Sequence, residues 1–212
     1  MDRVLIAGAN GNTGREIVNV LKDHADYKPV AMIRKSDQKS YFEKQGVETV
    51  LADLEGDLSH AVENIDRVIF AAGSGSDTSD QKTIDVDQKG AISLMEECEN
   101  KNIRKFVMLS AMGTDNPSEM SSISHYLKAK KKADDHLKES GLSFSIVKPG
   151  KLTFASGSNT IQAEEKLDEK GSISREDVAQ VLVQCLSDDI AQNKSFEVLE
   201  GGTTIKTALK NL

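Results

Sequence analysis

Arg3-Val4-Leu5-Ile6-Ala7-Gly8-Ala9-Asn10-Gly11-Asn12-Thr13-Gly14 decides the fold: an apolar run, a glycine turn, then residues with helical spacing. A strand that empties through such a turn into a helix is the order a dinucleotide-binding unit needs. Gly8 lets the chain leave the strand sharply, Gly11 has no Cβ to hold a pyrophosphate off the backbone N–H groups, and Gly14 lets the helix lie close on the sheet. The helix N-terminus then offers partial positive charge to the phosphates, with Asn10, Asn12 and Thr13 in the same turn.

The spacing is GxxGxxG and not GxGxxG, so context has to carry the reading. Ile17, Val18, Val20 and Leu21 fall on one side of the following helix. A second apolar run, Val30-Ala31-Met32-Ile33, ends at Arg34, about twenty residues past Gly14, where the ribose-contacting residue is expected. An acidic side chain there accepts from a ribose 2′-hydroxyl and repels a 2′-phosphate, whereas Arg34 and Lys35 supply two cations. The pair points to NADP(H) in preference to NAD(H), with NAD(H) still admissible. The plain alternative is a solubilised strand end.

A chain of 212 residues suits one domain with a real core. A net charge of −7 argues against a nucleic-acid partner, since that binding needs a basic face. The N-terminus shows no signal-peptide pattern and no apolar run reaches membrane-spanning length, so a soluble cytoplasmic protein is expected. Cys98 and Cys185 are too far apart for a CxxC site and read as small buried residues, and His24, His60, His125 and His136 lack metal-ligand spacing.

Short runs at Val47–Leu51, Arg67–Phe70, Phe106–Leu109 and Phe144–Val147 join the first two as strands, alternating with helices near 12–23, 37–45, 80–100, 122–140 and 175–187. That alternation predicts an α/β, doubly wound Rossmann-type parallel sheet flanked by helices. Residues 1–150 form its dinucleotide-binding part. Residues 151–212 read as a small C-terminal cap within the same domain: a hairpin near 158–173, a helix, a strand at 195–199 and a terminal helix at 203–211.

Tyr126 and Lys130 stand four residues apart, one turn along a single helix face. A neighbouring cation favours phenolate and lowers a tyrosine pKa, which suits proton exchange with a carbonyl or alcohol oxygen. Lys130 is also placed to bond the nicotinamide ribose. By itself a YxxxK pattern is weak; behind a glycine turn and a strand ending at Leu109-Ser110 it gains weight.

With these residues in place the chain resembles the short-chain dehydrogenase/reductase superfamily. The likeness is greatest to its atypical NAD(P)H-binding branch, which is similar to the epimerase/dehydratase-like members. The resemblance rests on Gly8 through Gly14, Arg34, Ala52-Asp53-Leu54, Ala71-Ala72-Gly73, Leu109-Ser110-Ala111, Tyr126 with Lys130, and Lys148-Pro149-Gly150. It implies Asp53 and Leu54 at the adenine, Ala71, Ala72 and Gly73 along the nucleotide, and Lys148, Pro149 and Gly150 beside the nicotinamide. It also implies Ser110 as a catalytic partner of Tyr126 and Lys130. Ala111 and Met112 depart from the pattern, standing where relatives often carry the substrate-orienting hydroxyl, with Thr114 as a fallback.

Two readings stand side by side. One is an NADP(H)-dependent oxidoreductase acting on a small carbonyl-type substrate of unknown identity, as a monomer or homodimer. The other is a non-catalytic NADP(H)-binding sensor. A nucleotide-sugar epimerase or dehydratase is a third, disfavoured by the short C-terminal region. The substrate-shaping loops are expected around 74–80, 113–122 and 151–172.

Overall fold

The computed structural model describes residues 1–75, 79–117 and 123–212. Parts of the first two expected substrate loops, residues 76–78 and 118–122, lie outside the described residues.

The strands form in the order the apolar runs require. They are β1 (Asp2–Ala7), β2 (Tyr27–Ile33), β3 (Glu48–Leu51), β4 (Arg67–Phe70), β5 (Lys105–Leu109) and β6 (Phe144–Pro149). Alternate residues of one strand feed opposite faces: Val4 and Ile6 enter one core cluster, Leu5 and Ala7 the other. Both faces are therefore covered, and a strand buried on both sides has to read as a continuous apolar run. Helices α1 (Asn12–Leu21), the short α2 (Lys39–Glu43) through Phe42, and α6 (Arg175–Gln184) cover the first face, and α4 (Ala91–Asn100) and α5 (Ser124–Glu139) the second.

Within the main sheet the order β3-β2-β1-β4-β5-β6 is parallel throughout. The chain winds outward one way from β1 to β3 and the other way from β4, so the direction reverses between β1 and β4. At that reversal no crossover helix covers the carboxyl ends, and a crevice opens there.

The expected hairpin near 158–173 does not form. Strand β8 (Thr160–Glu164) pairs antiparallel with β10 (Lys194–Glu200), which itself runs parallel to β6, and β11 (Thr203–Thr204) adds outside β8. Strand β9 (Ser172–Ser174) instead pairs in parallel with β7 (Lys151–Thr153), immediately after Pro149-Gly150. The C-terminal segment thus extends the main sheet and adds a second, two-stranded one. It ends in α7 (Ile205–Lys210). A sequence pattern of two short polar-rich strands identifies neither partner, because register needs a buried face on each side.

The helical run expected at 80–100 starts as α3 (Asp80–Thr83), widens into a π-helical stretch over Ile84–Gly90, and continues as α4. Both cysteines are buried, as expected, and burial pushes the Cys185 thiol up to about 12 and Cys98 higher still.

One core residue conflicts with its surroundings. Lys105 opens β5 fully buried, and its Nζ has no hydrogen-bond partner among the described residues. Burial lowers its pKa, with Cys185 and Asp188 opposing. Its folded pKa lies below the unfolded value, so the penalty for burying the ammonium is complete below the folded pKa and fades as pH rises towards the unfolded value near 10.5. Lys105→Met, of similar volume, is expected to stabilise the chain at neutral pH by about 1–3 kcal/mol. Urea titrations at several pH values should show that advantage shrinking as pH rises; an advantage constant with pH would contradict the buried-charge account.

Candidate active site

The crevice at the switch point holds two adjoining cavities that share Gly11, Ala71, Ala72, Gly73 and Ser74. The first, of about 290 Å³, runs from Gly8, Asn10 and Gly11 to Arg34, Asp53 and Leu54. The second, of about 650 Å³, runs from Gly11, Asn12 and Thr13 to Ser110, Tyr126 and Lys130.

The glycine turn explains the shape. Gly8 adopts φ +87°, and a Cβ on it would lie 2.5 Å from the Ala72 nitrogen. The β1 turn and the β4 end therefore touch, backbone against backbone, forming the floor common to both cavities. The Gly11 N–H donates to the Gly8 carbonyl (2.9 Å), closing the turn at the N-cap of α1. Gly14 faces into the turn and not the cavity, so its part is helix–turn packing.

At the far end of the smaller cavity Arg34 is exposed and lines the wall. The Gln38 side chain, unremarked in the sequence, accepts from the backbone N–H groups of Arg34 (3.0 Å) and Lys35 (3.3 Å) and fixes the bend after β2. Lys35 is exposed and stands outside the lining, because the backbone after Arg34 has already turned into a 3-10 turn at Ser36–Gln38. Asp53 accepts the Glu55 N–H (3.1 Å) and still borders the cavity, as does Lys82, which pairs with Glu55.

In the larger cavity α5 supplies Tyr126 and Lys130. Lys130 is buried; its Nζ donates to the Leu109 carbonyl (3.1 Å) and stands 3.4 Å from Asp87, ion-pair distance without hydrogen-bond geometry. Asp87, equally buried in the π-helical stretch, accepts the Ser74 N–H (2.9 Å). Burial depresses the Lys130 ammonium, but facing Tyr126, Asp87 and Asp134 outweigh it and hold the pKa above the usual lysine value. Lys130 does pull the Tyr126 pKa down, as expected, but the net shift is upward. Burial of the phenol raises it more than the cation, 5.5 Å from the ring centre, pulls it down. Tyr126 is a protonated phenol at neutral pH.

Ser110 lines the cavity, yet its hydroxyl donates to the buried Asp134 (2.6 Å). Burial raises the Asp134 pKa although the Ser110 hydrogen bond and Lys130 oppose it. Thr114 donates to the Ala111 carbonyl (3.1 Å), a turn contact. Lys148, Pro149 and Gly150 stand outside both linings. Lys148 is buried against Asp115, and a Cβ on Gly150 would lie 2.3 Å from Leu199, so this glycine serves strand packing. Leu152, two residues further along β7, reaches the wall in their place.

The donors fit a dinucleotide: a floor without side chains, the open end of α1, a guanidinium at one end and a phenol–ammonium pair at the other. The match over residues 8–189 to the NAD(P)H-binding family model decides the matter. The chain belongs to the NAD(P)H-binding family. It is 38% identical over 214 residues to an uncharacterized sugar epimerase, YhfK, of Bacillus subtilis, covering 99% of this chain and all of that one. A solved structure from Bacillus halodurans, provisionally named an NAD-dependent epimerase/dehydratase, matches with TM-score 0.93 and 39% identity over the whole of both chains. A short-chain dehydrogenase/reductase from Veillonella parvula in complex with NADP shares the fold, with TM-score 0.76, 19% identity and 96% of each chain covered. No helix among the described residues is long and apolar enough to cross a membrane.

Proposed function

We propose that this NAD(P)H-binding protein is an NADP(H)-dependent reductase of a small carbonyl compound, and the observation that carries the reading is the convergence of Tyr126, Lys130 and the glycine turn on one cavity. Bound NADPH supplies a hydride at that cavity. Lys130, tethered to the Leu109 carbonyl and balanced by Asp87, holds the nicotinamide ribose hydroxyls. Tyr126, kept protonated by burial, donates its proton to the carbonyl oxygen as the alcohol forms. Ser110 orients from the side, through a hydroxyl already aimed by Asp134.

Arg34 supports the choice of NADP(H), being the cation at the expected ribose position and on the cavity wall. Arg34→Asp is expected to weaken NADPH by about tenfold or more while NADH changes little or improves. Calorimetric titrations with both nucleotides check this; equal losses would remove Arg34 from the 2′-phosphate.

A sensor without turnover is the second reading, favoured by the engagement of the Ser110 hydroxyl with Asp134 and by the apolar Ala111 next to it. An epimerase or dehydratase for nucleotide sugars is supported less. Strands β8, β10 and β11 are spent on the main sheet, leaving β7, β9 and their loops to shape a substrate site. The deciding experiment follows nicotinamide absorbance of the NADPH complex against aldehydes, ketones, quinones and flavins. Turnover of any of them supports the reductase, and tight binding with none supports the sensor.

A further inference from the structure

Arg175 is the first residue of α6. It lines the large cavity together with Tyr126, Lys130 and Leu152. It also lines a separate cavity of about 270 Å³ beside α1, so it stands at the junction of the two. Its guanidinium lies over the Phe154 ring, 4.0 Å from the centre, and Nη1 is buried with no hydrogen-bond partner among the described residues. No carboxylate among the described residues pairs with it. The other cationic side chain of the large cavity, Lys130, is already matched by Asp87, and the exposed Asp80 lies 3.2 Å from the His125 ring.

The placement is built by the small sheet. Strands β7 and β9 pair Leu152 with Ile173 and Thr153 with Ser174, so the next step of the register sets Phe154 opposite Arg175. Ser174 caps α6 by accepting the Asp177 N–H (2.9 Å), and Asp177 in turn accepts from the N–H groups of Ser158 and Asn159. Cap and loop thus hold the helix start, while Phe154, 78% exposed, is kept at the surface by its stack on the guanidinium. A guanidinium nitrogen buried without an acceptor is costly unless a ligand supplies one.

Building on the reductase reading, we infer that Arg175 is the substrate anchor and that the substrate is an organic acid: an apolar carbonyl compound whose carboxylate pairs with the guanidinium. Leu109 and Leu152 receive its apolar body, and the carboxylate fixes the carbonyl towards Tyr126. Arg175 discriminates by charge, so the neutral amide or ester of the same compound binds weakly.

Benzoate and benzamide, equal in shape and different in charge, test this by ligand-observed NMR on the NADPH-loaded protein. Benzoate is expected to bind about tenfold tighter than benzamide, and Arg175→Gln to erase that difference while NADPH affinity stays unchanged. Phe154→Ala, at an exposed position, should reduce the preference without touching the fold. Equal binding of the two probes to the parent protein, binding of neither, or a preference that survives Arg175→Gln would each overturn the inference. A variant that loses NADPH itself assigns the guanidinium to the cofactor phosphates and overturns it too. Failure of the parent protein to bind NADPH is a different result: it removes the reductase reading, and the benzoate preference is then read on the nucleotide-free protein.

Discussion

Tyr126→Phe should lower turnover by about two to four orders of magnitude while leaving NADPH affinity and melting temperature nearly as they were. The substitution deletes one oxygen from a half-buried ring and nothing else. Lys130 loses its interaction with the phenol oxygen but keeps its bond to the Leu109 carbonyl and its approach to Asp87. What disappears is the proposed proton donor. Its raised pKa makes the phenol an acid throughout the neutral range, so the parent reduction rate should stay flat there with respect to this group. Lys130→Met is a poorer probe, because it leaves the fully buried Asp87 carboxylate without its cation and confuses stability with chemistry. Single-turnover absorbance with saturating NADPH, beside calorimetry on the same variant, separates the two effects. Parental turnover in Tyr126→Phe would remove the phenol from the mechanism.

How much of this was legible in the sequence depends on how local each signal is. The β1 turn, Arg34 and the Tyr126/Lys130 spacing are local patterns, and the structure sets all three along one crevice. Pairing of β8 and β9 is not local, and the expected hairpin fails for that reason. Asp87 and Asp134 went unremarked although a signal existed. Thr83, Asp87, Gly90, Ala91 and Leu94 are buried at helical spacing, as are Leu127, Lys130, Ala133, Asp134 and Leu137. A carboxylate on the apolar stripe of a helix has to be paired or protonated, and both acids end beside Lys130 or Ser110. The pKa of Tyr126 was not legible at all, since burial of the phenol is a tertiary quantity and here outweighs the sequence-adjacent cation. Arg175 is the reverse case: its helix start is plain in Ser174-Arg175-Glu176-Asp177, but the partner that aims it, Phe154, is fixed only by the register of β7 on β9.

Gly14→Ala sets helix propensity against packing, and packing should win. Gly14 is the third residue of α1, and alanine within a helix is favoured over glycine by about 1 kcal/mol, so propensity alone expects stabilisation. A Cβ at this position would lie 2.1 Å from the Gly8 carbonyl oxygen and 2.8 Å from the Ala9 Cα, both backbone atoms. The turn cannot yield. Gly8 is pressed against the Ala72 backbone on its other side, and its carbonyl accepts the Gly11 N–H. The helix cannot yield cheaply either, because Ile17, Val18 and Leu21 are buried in the first core cluster. Relief therefore means moving α1 outward, with a cost of about 3 kcal/mol and a melting temperature lower by roughly 6–12 °C for a chain of this size. The same movement carries the N-terminal N–H groups of α1 away from the phosphates, so NADPH affinity should fall together with stability. Gly46→Ala is the control: φ there is +73° but nothing lies within 4 Å of the added Cβ, so only backbone strain of about 1 kcal/mol is expected. Melts of the two variants side by side decide the matter. If Gly14→Ala proves no more damaging than Gly46→Ala, the tight contact between helix and turn is not what shapes this cofactor site.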